Sequence, residues 1–225
     1  VCSSDLACRQ IPLLRGSGLE VREQDAAQCV ALEPALAAVT QPISGGIHAP
    51  GDESGDARLF TVRLAQAAMD VGVRFRFKVN VLALEVASGR VERVVVDDEA
   101  GIDESLRADA YVVALGSYSP LLLRTLGISV PVYPVKGYSL TLPLRPGDSA
   151  PLMSLSDDSH KLVFSRLGER LRVAGTAELN GYDTTLNEVR CQALLRRTRE
   201  LFPHIGDETA AQYWTGDRKS TRLNS

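Results

Sequence analysis

Asp109-Ala-Tyr-Val-Val-Ala-Leu-Gly116-Ser-Tyr-Ser119, followed shortly by Pro131-Val-Tyr-Pro-Val-Lys-Gly-Tyr138, is the stretch on which the fold turns. An apolar run closed by a glycine predicts a strand, Tyr111 to Leu115, buried on both faces of a sheet. The glycine lets another backbone or a ligand come close to the strand's end, which is where open α/β sheets bind small molecules.

Upstream of this strand the pattern is helical and then extended. Arg22 to Glu33 reads as a short amphipathic helix stopped by Pro34. Ile43 to Pro50 is turn-rich and extended, and Gly51 to Asp56 is a polar loop. Asp56 is a plausible N-cap for a helix from Ala57 to Val71, ended by Gly72. Val73-Arg-Phe-Arg-Phe77 alternates with period two and predicts a half-buried strand. Three more strands are expected at Val81 to Val86, Val91 to Asp97 and Ser105 to Ala108. Ser88-Gly89 and Asp98 to Asp103 read as their turns.

Downstream, Pro120 to Leu126 predicts a short helix and Pro131 to Leu142 a strand. Short strands follow at Met153 to Leu155, Lys161 to Arg166 and Leu171 to Thr176, with a tight turn at Gly168-Glu169. A helix is expected from Leu186 to Phe202 and a last strand from Ala211 to Thr215. The order predicts α/β followed by a mostly antiparallel α+β part.

Composition narrows the function classes. The chain has 225 residues, 44% hydrophobic and 24% charged, ordinary values for a globular protein able to bury a core. A net charge of −3 offers no electrostatic case for nucleic acid. No run approaches the roughly 18 apolar residues of a membrane helix, and the start lacks the pattern of a signal peptide. Cys2, Cys8, Cys29 and Cys191 fit neither a zinc site nor a disulfide framework, and His48, His160 and His204 are scattered. Reduced thiols, a cytoplasmic setting and no metal are therefore expected.

Both ends read as foreign. Asp217 to Ser225, DRKSTRLNS, is the translation of a short-read sequencing adapter (GAT CGG AAG AGC ACA CGT CTG AAC TCC). Val1 to Leu6, VCSSDL, matches the opposite-strand adapter. The native part is expected to run from Ala7 to Gly216, within a longer gene, and codons at the ends that do not spell the adapter would overturn this.

Several segments together resemble one family. They are Leu32-Glu-Pro-Ala-Leu36, Gly45-Gly46, Pro50 to Asp56, Gly72-Val-Arg-Phe-Arg-Phe77, Ala108 to Ser119, Pro131 to Thr141, Arg172-Val-Ala-Gly-Thr-Ala-Glu178 and Tyr213-Trp-Thr-Gly216. In order and spacing they are similar to the FAD-dependent amine and amino-acid oxidoreductases of the D-amino acid oxidase fold. The resemblance covers about Leu19 to Gly216 and is strongest to the branch that dehydrogenates D-amino acids.

The resemblance implies a partial Rossmann-like FAD-binding domain, mainly residues 43–130, interleaved with an antiparallel-sheet substrate domain, mainly 131–216. Val81 matches the position whose backbone meets the adenine end of FAD. Ala114 and Gly116 match the strand-end turn beside the dinucleotide, and Gly175 a glycine of the substrate-domain strand. Tyr138, Lys161 and Arg166 are the candidate donors for orienting a substrate carboxylate. The family's G-x-G-x-x-G is absent from this chain. The family's carboxylate-binding arginine would fall at Arg218, within the adapter-like tail.

The implied activity of the whole parent protein is oxidative deamination of D-amino acids to 2-oxo acids and ammonia. Its electrons would go to a membrane acceptor, with the protein held peripherally on the inner face of the plasma membrane. A relative acting on glycine, sarcosine or another secondary amine is the alternative, as is an inert domain. The chain alone is expected to be inactive.

Overall fold

The computed structural model describes residues 4–97, 101, 103–217 and 221–222. In chain order the elements are α1 (Ser4–Gly16), β1 (Arg22–Gln24), α2 (Ala26–Leu32), β2 (Gly46–His48), α3 (Ala57–Asp70), β3 (Asn80–Ala87), β4 (Arg90–Asp97) and β5 (Asp103–Leu106). They continue with α4 (Ser119–Arg124), β6 (Val132–Tyr133), β7 (Lys136–Pro143), β8 (Leu155–Asp157), β9 (Leu162–Arg166), β10 (Arg170–Glu178), α5 (Glu188–Leu201), β11 (Gln212–Asp217) and β12 (Thr221–Arg222). The chain divides into two compact units, residues 1–56 with 136–218, and residues 57–135 with 219–225.

The first unit is built on an antiparallel five-stranded sheet of order β11-β7-β10-β9-β8. Alternation along β7 places Tyr138, Leu140 and Leu142 on one face, beside Leu171 and Val173 of β10 and Leu162 and Phe164 of β9. α5 covers that face with Cys191, Leu194, Leu195, Thr198 and Leu201. Phe164 and Phe202 are fully buried and meet edge to face at 5.4 Å. Burying each such side chain is worth about 1.5–3 kcal/mol, so this layer is the main source of the unit's stability.

Two buried charged groups fasten the unit's edges. Glu33, 2% exposed, accepts the backbone N–H groups of Leu152 at 2.7 Å and Met153 at 2.8 Å, and of Ala35 at 3.2 Å. Asp157, at the end of β8, accepts from the Nε of Arg197 of α5 at 2.7 Å; both side chains are nearly inaccessible. Arg197 also donates to Gln41 at 3.0 Å and Glu200 at 2.9 Å.

Local signals explain where elements start. The expected helix over Arg22 to Glu33 begins later, at Ala26. Asp25 accepts from the Gln28 backbone and Gln28 returns a bond to the Asp25 N–H, a reciprocal cap that sets the start. Arg22–Gln24 instead pairs with β2 as a strand. Pro134 supplies no N–H, and the expected strand from Pro131 to Leu142 is split into β6 and β7.

In the second unit, β3, β4 and β5 form the expected meander. Ser88 and Gly89 close its first hairpin with φ of 52° and 75°, the mirror-image turn that two-residue hairpins favour. The expected turn at 98–103 lies mostly outside the described residues. α3 matches the helix expected from Ala57, yet none of its residues is buried.

Two expected strands are not strands here. Val73 to Phe77 and Tyr111 to Leu115 form no ladder, and Val112 is 90% exposed. A doubly buried strand needs a hydrogen-bonded neighbour on each side, and no described strand lies beside either segment. Instead the Phe75 and Phe77 rings stack at 5.8 Å.

Candidate functional site

The cofactor-facing candidates all lie in the second unit. Val81, Ala114 and Gly116 are exposed. Gly116 has φ of +55°, which favours glycine, and opens the 3-10 turn Gly116–Tyr118 leading into α4. α4 packs on β3, the strand of Val81. The β3–β4 register slips between Val81 and Ala83, so Leu82 stands as an extra residue beside Val81. Such a bulge takes main-chain groups off the ladder and leaves them for other acceptors and donors.

An exposed segment closed by a left-handed glycine, in the unit that carries the bulged strand, fits the close passage of a dinucleotide. Val81, Ala114 and Gly116 are the residues that the sequence resemblance marks for FAD.

The substrate-side candidates lie in the first unit, and the structure separates them. Tyr138 is 2% exposed and donates its hydroxyl to the Glu178 carboxylate. Lys161 precedes Leu162, which lies two strands across from Tyr138, about 10 Å away. Its ammonium pairs with Asp158 on the exposed β8–β9 connection. Arg166 is at the far end of β9, opposite Leu171, and its Nε donates to the Gly168 carbonyl at 3.3 Å.

What surrounds Tyr138 is a cluster that the sequence reading missed. Lys136 is 4% exposed; its Nζ lies 3.3 Å from Glu178, 3.8 Å from Asp183 and 5.5 Å from the Tyr138 ring centre. The Arg190 guanidinium, from the first turn of α5, sits 5.9 Å from the same ring and 3.7 Å from Glu178.

A bulge builds this cluster. The β10–β7 register slips between Gly175 and Ala177, where Thr176 has φ of 55°. The slip sets Glu178 directly opposite Lys136, whereas a regular ladder would have put Ala177 there. Lys136 two residues before Tyr138 was the available signal, since both face one side of a strand. Glu178 carried none, because the bulge reverses its phase.

The charges are mutually supporting. Burial alone would lower the Lys136 pKa, but Tyr138, Glu178 and Asp183 outweigh it and raise the ammonium above its ordinary value. The hydrogen bond from Tyr138, with Lys136 and Arg190 nearby, holds Glu178 below the usual carboxylate range against the opposing effect of burial. Burial and the neighbouring Glu178 carboxylate raise the Tyr138 phenol. The phenol therefore stays protonated and committed to Glu178.

Gly175 is a packing position. A Cβ there would lie 2.0 Å from Leu162 Cδ2 and 3.1 Å from the Lys161 carbonyl.

A family model described as FAD dependent oxidoreductase, DAO, matches residues 5–224. A D-amino acid dehydrogenase of Dechloromonas aromatica (strain RCB) is 50% identical over 212 residues, which is 94% of this chain and 51% of that protein. One from Methylobacterium radiotolerans is 49% identical over 209 residues, 93% of this chain and 49% of that one. The chain thus spans about half the length of the curated relatives it matches.

Among solved structures, a glycine oxidase from Geobacillus kaustophilus shares the fold with a TM-score of 0.75 at 23% identity, over 95% of this chain and 55% of that one. An L-proline dehydrogenase from P. horikoshii does so at 0.78 and 14%, over 97% and 59%. At these identities the likeness is one of fold. The chain belongs to the DAO family of FAD-dependent oxidoreductases.

Proposed function

We propose that the whole protein to which this chain corresponds oxidises D-amino acids such as D-alanine to 2-oxo acids and ammonia. The observation that carries this is half-identity, over nearly all of the chain, to proteins named D-amino acid dehydrogenase. FAD, when bound, supplies a two-electron acceptor for the Cα–H of the substrate. This chain's residues shape the site around it. Gly116 and Ala114 leave the turn before α4 open to the dinucleotide, and Val81 sits beside the bulge on β3. Orienting the substrate for this step depends on alignment more than on a strong base.

We further propose that the electrons pass to a membrane acceptor, with the protein resting peripherally on the inner face of the plasma membrane. Among the described residues no helix is long and apolar enough to cross a membrane.

The test is anaerobic reduction of the full-length flavoprotein. D-alanine should bleach the visible flavin absorbance and release ammonia and pyruvate, and L-alanine should not. Bleaching by glycine or sarcosine and not by D-alanine would overturn the substrate assignment. Adding membrane vesicles should restore the oxidised spectrum faster than oxygen does; equal rates would sink the acceptor assignment.

A further inference from the structure

The chain contains one Asn-Gly pair, Asn180-Gly181, in the connection between β10 and α5. β10 ends at Glu178, so neither residue is held in a strand ladder. Asn180 is exposed. Its carbonyl accepts the Asp183 N–H at 3.4 Å, closing a turn in which Gly181 has φ of +58°. Glycine is the residue that adopts this backbone without strain, so the turn itself calls for glycine after Asn180.

That choice has a chemical consequence. The side-chain amide of an asparagine is open to attack by the backbone nitrogen of the next residue, and a side chain on that residue hinders the approach. Glycine has none. The turn is exposed and outside the sheet, where local opening costs little free energy, so the backbone can reach the attacking geometry while the rest of the unit stays folded. The other described asparagines differ on each point. Asn80 is followed by Val81 within β3. Asn187 is followed by Glu188, and its side-chain oxygen caps α5 by accepting the Arg190 N–H at 3.3 Å.

We propose that Asn180 is a site of spontaneous deamidation in the folded protein. The Gly181 nitrogen bonds to the Asn180 Cγ, the Cγ–Nδ2 bond breaks, and the Gly181 N–H proton leaves with Nδ2 as ammonia. Water then opens the cyclic imide. Addition at Cγ gives aspartate, and addition at the backbone carbonyl carbon gives isoaspartate, whose side-chain carbon has entered the main chain. Water is the co-reactant, and nothing is oxidised or reduced.

The new charge falls beside the buried cluster around Lys136. Asn180 Nδ2 donates to Asp183 at 2.9 Å, and Asp183 lies 3.8 Å from the Lys136 ammonium. Deamidation replaces that donor with an anionic oxygen facing a second carboxylate, and like charges at such a separation repel. Asp183 keeps the Thr185 N–H at 2.8 Å and the Thr185 hydroxyl at 3.0 Å, so it is the contact with Lys136 that loosens. The modification therefore reaches from an exposed turn into the polar end of the sheet.

The test holds the 225-residue chain in mildly alkaline buffer, digests it with trypsin under mildly acidic conditions and follows the peptide 173–190 by mass spectrometry. That peptide carries Asn180 and Asn187 together, so each sample contains its own control. Asn180 should convert to aspartate and isoaspartate, the latter scored with an isoaspartate methyltransferase, while Asn187 stays intact. Asn180→Gln should block the reaction, because the longer side chain closes its ring slowly. Asn180→Asp, which carries the product charge, should lower the urea midpoint of the first unit, and by less in an Asp183→Asn background. Conversion of Asn180 only after unfolding in urea, or conversion of Asn187 as fast as that of Asn180, would overturn the proposal. An Asn180→Asp midpoint equal to the parent's would overturn the link to Lys136.

Discussion

Replacing Arg197 by methionine tests whether the Asp157–Arg197 pair holds α5 to the sheet. The two side chains are 2% and 6% exposed and meet at 2.7 Å. Removing one member of a buried ion pair costs about 3–5 kcal/mol, because the remaining charge is left in a poor solvent. Asp157 keeps the backbone N–H groups of Ser159 at 3.1 Å and His160 at 3.3 Å, so the lower end, about 3 kcal/mol, is expected. In urea, where m is about 1–3 kcal/mol/M, that is a midpoint shift of roughly 1–3 M.

The pH dependence makes the reasoning sharper. Burial alone would raise the Asp157 pKa, but the hydrogen bond and charge of Arg197 outweigh it and hold the carboxyl below its ordinary value. A carboxyl depressed in the folded state contributes stability above the unfolded value, about 3.9, and loses it as pH falls through the folded pKa. In Arg197→Met the carboxyl loses its main lowering partner and keeps only the Ser159 and His160 N–H groups and the His160 ring at 3.0 Å, so the folded pKa rises from its parental position. The parental loss of stability toward acid should then flatten. Trp214 emission on β11 reads the unfolding of this unit, with far-UV circular dichroism as the second probe. Arg197→Met within about 1 kcal/mol of the parent near neutral pH, or a slope parallel to the parent below it, would refute the argument.

Three further outcomes are expected. Gly175→Ala should destabilise the first unit by about 1–3 kcal/mol in urea unfolding, since its Cβ would overlap Leu162 and crowd a carbonyl, and the same substitution should cost less in a Leu162→Ala background. Glu178→Gln should lower the melting temperature near neutral pH and flatten its fall toward acid. Glu178 is depressed in the folded state, so its contribution is present above the unfolded carboxylate value and lost as pH drops through the folded one. Gly116→Val in the full-length protein should lower FAD content, read from visible absorbance, with unchanged far-UV circular dichroism. The φ of +55° disfavours a β-branched residue there, and an unchanged FAD content would count against the Gly116 turn as a cofactor wall.

Where periodicity and local chemistry agree, the sequence was legible. The meander β3–β4–β5 follows from alternating Val and Leu around a Ser-Gly turn, and α5 from its apolar stripe, capped by Asn187 and stopped at Pro203. Arg22–Gln24 was not legible, because three residues carry too short a pattern to separate a strand from the helix behind it. Tyr111 to Leu115 shows the opposite failure. Its apolar pattern reads as a buried strand, but a strand exists only when neighbours complete its hydrogen bonds, and among the described residues none does. At the site, Tyr138, Lys161 and Arg166 share donor chemistry, and the tertiary structure sends each to a different neighbour.

The sequence by itself determined the family and most of the elements, because turn residues, caps and apolar periods act within a few positions of one another. Only the tertiary structure decided which polar groups meet. A one-residue bulge after Gly175 turns Glu178 toward Lys136, and strand register puts Ser139, whose hydroxyl has no partner among the described residues, on the opposite face. Register is a relation between distant strands, and a slip of one residue exchanges the two faces of a sheet. No local pattern along the chain encodes it.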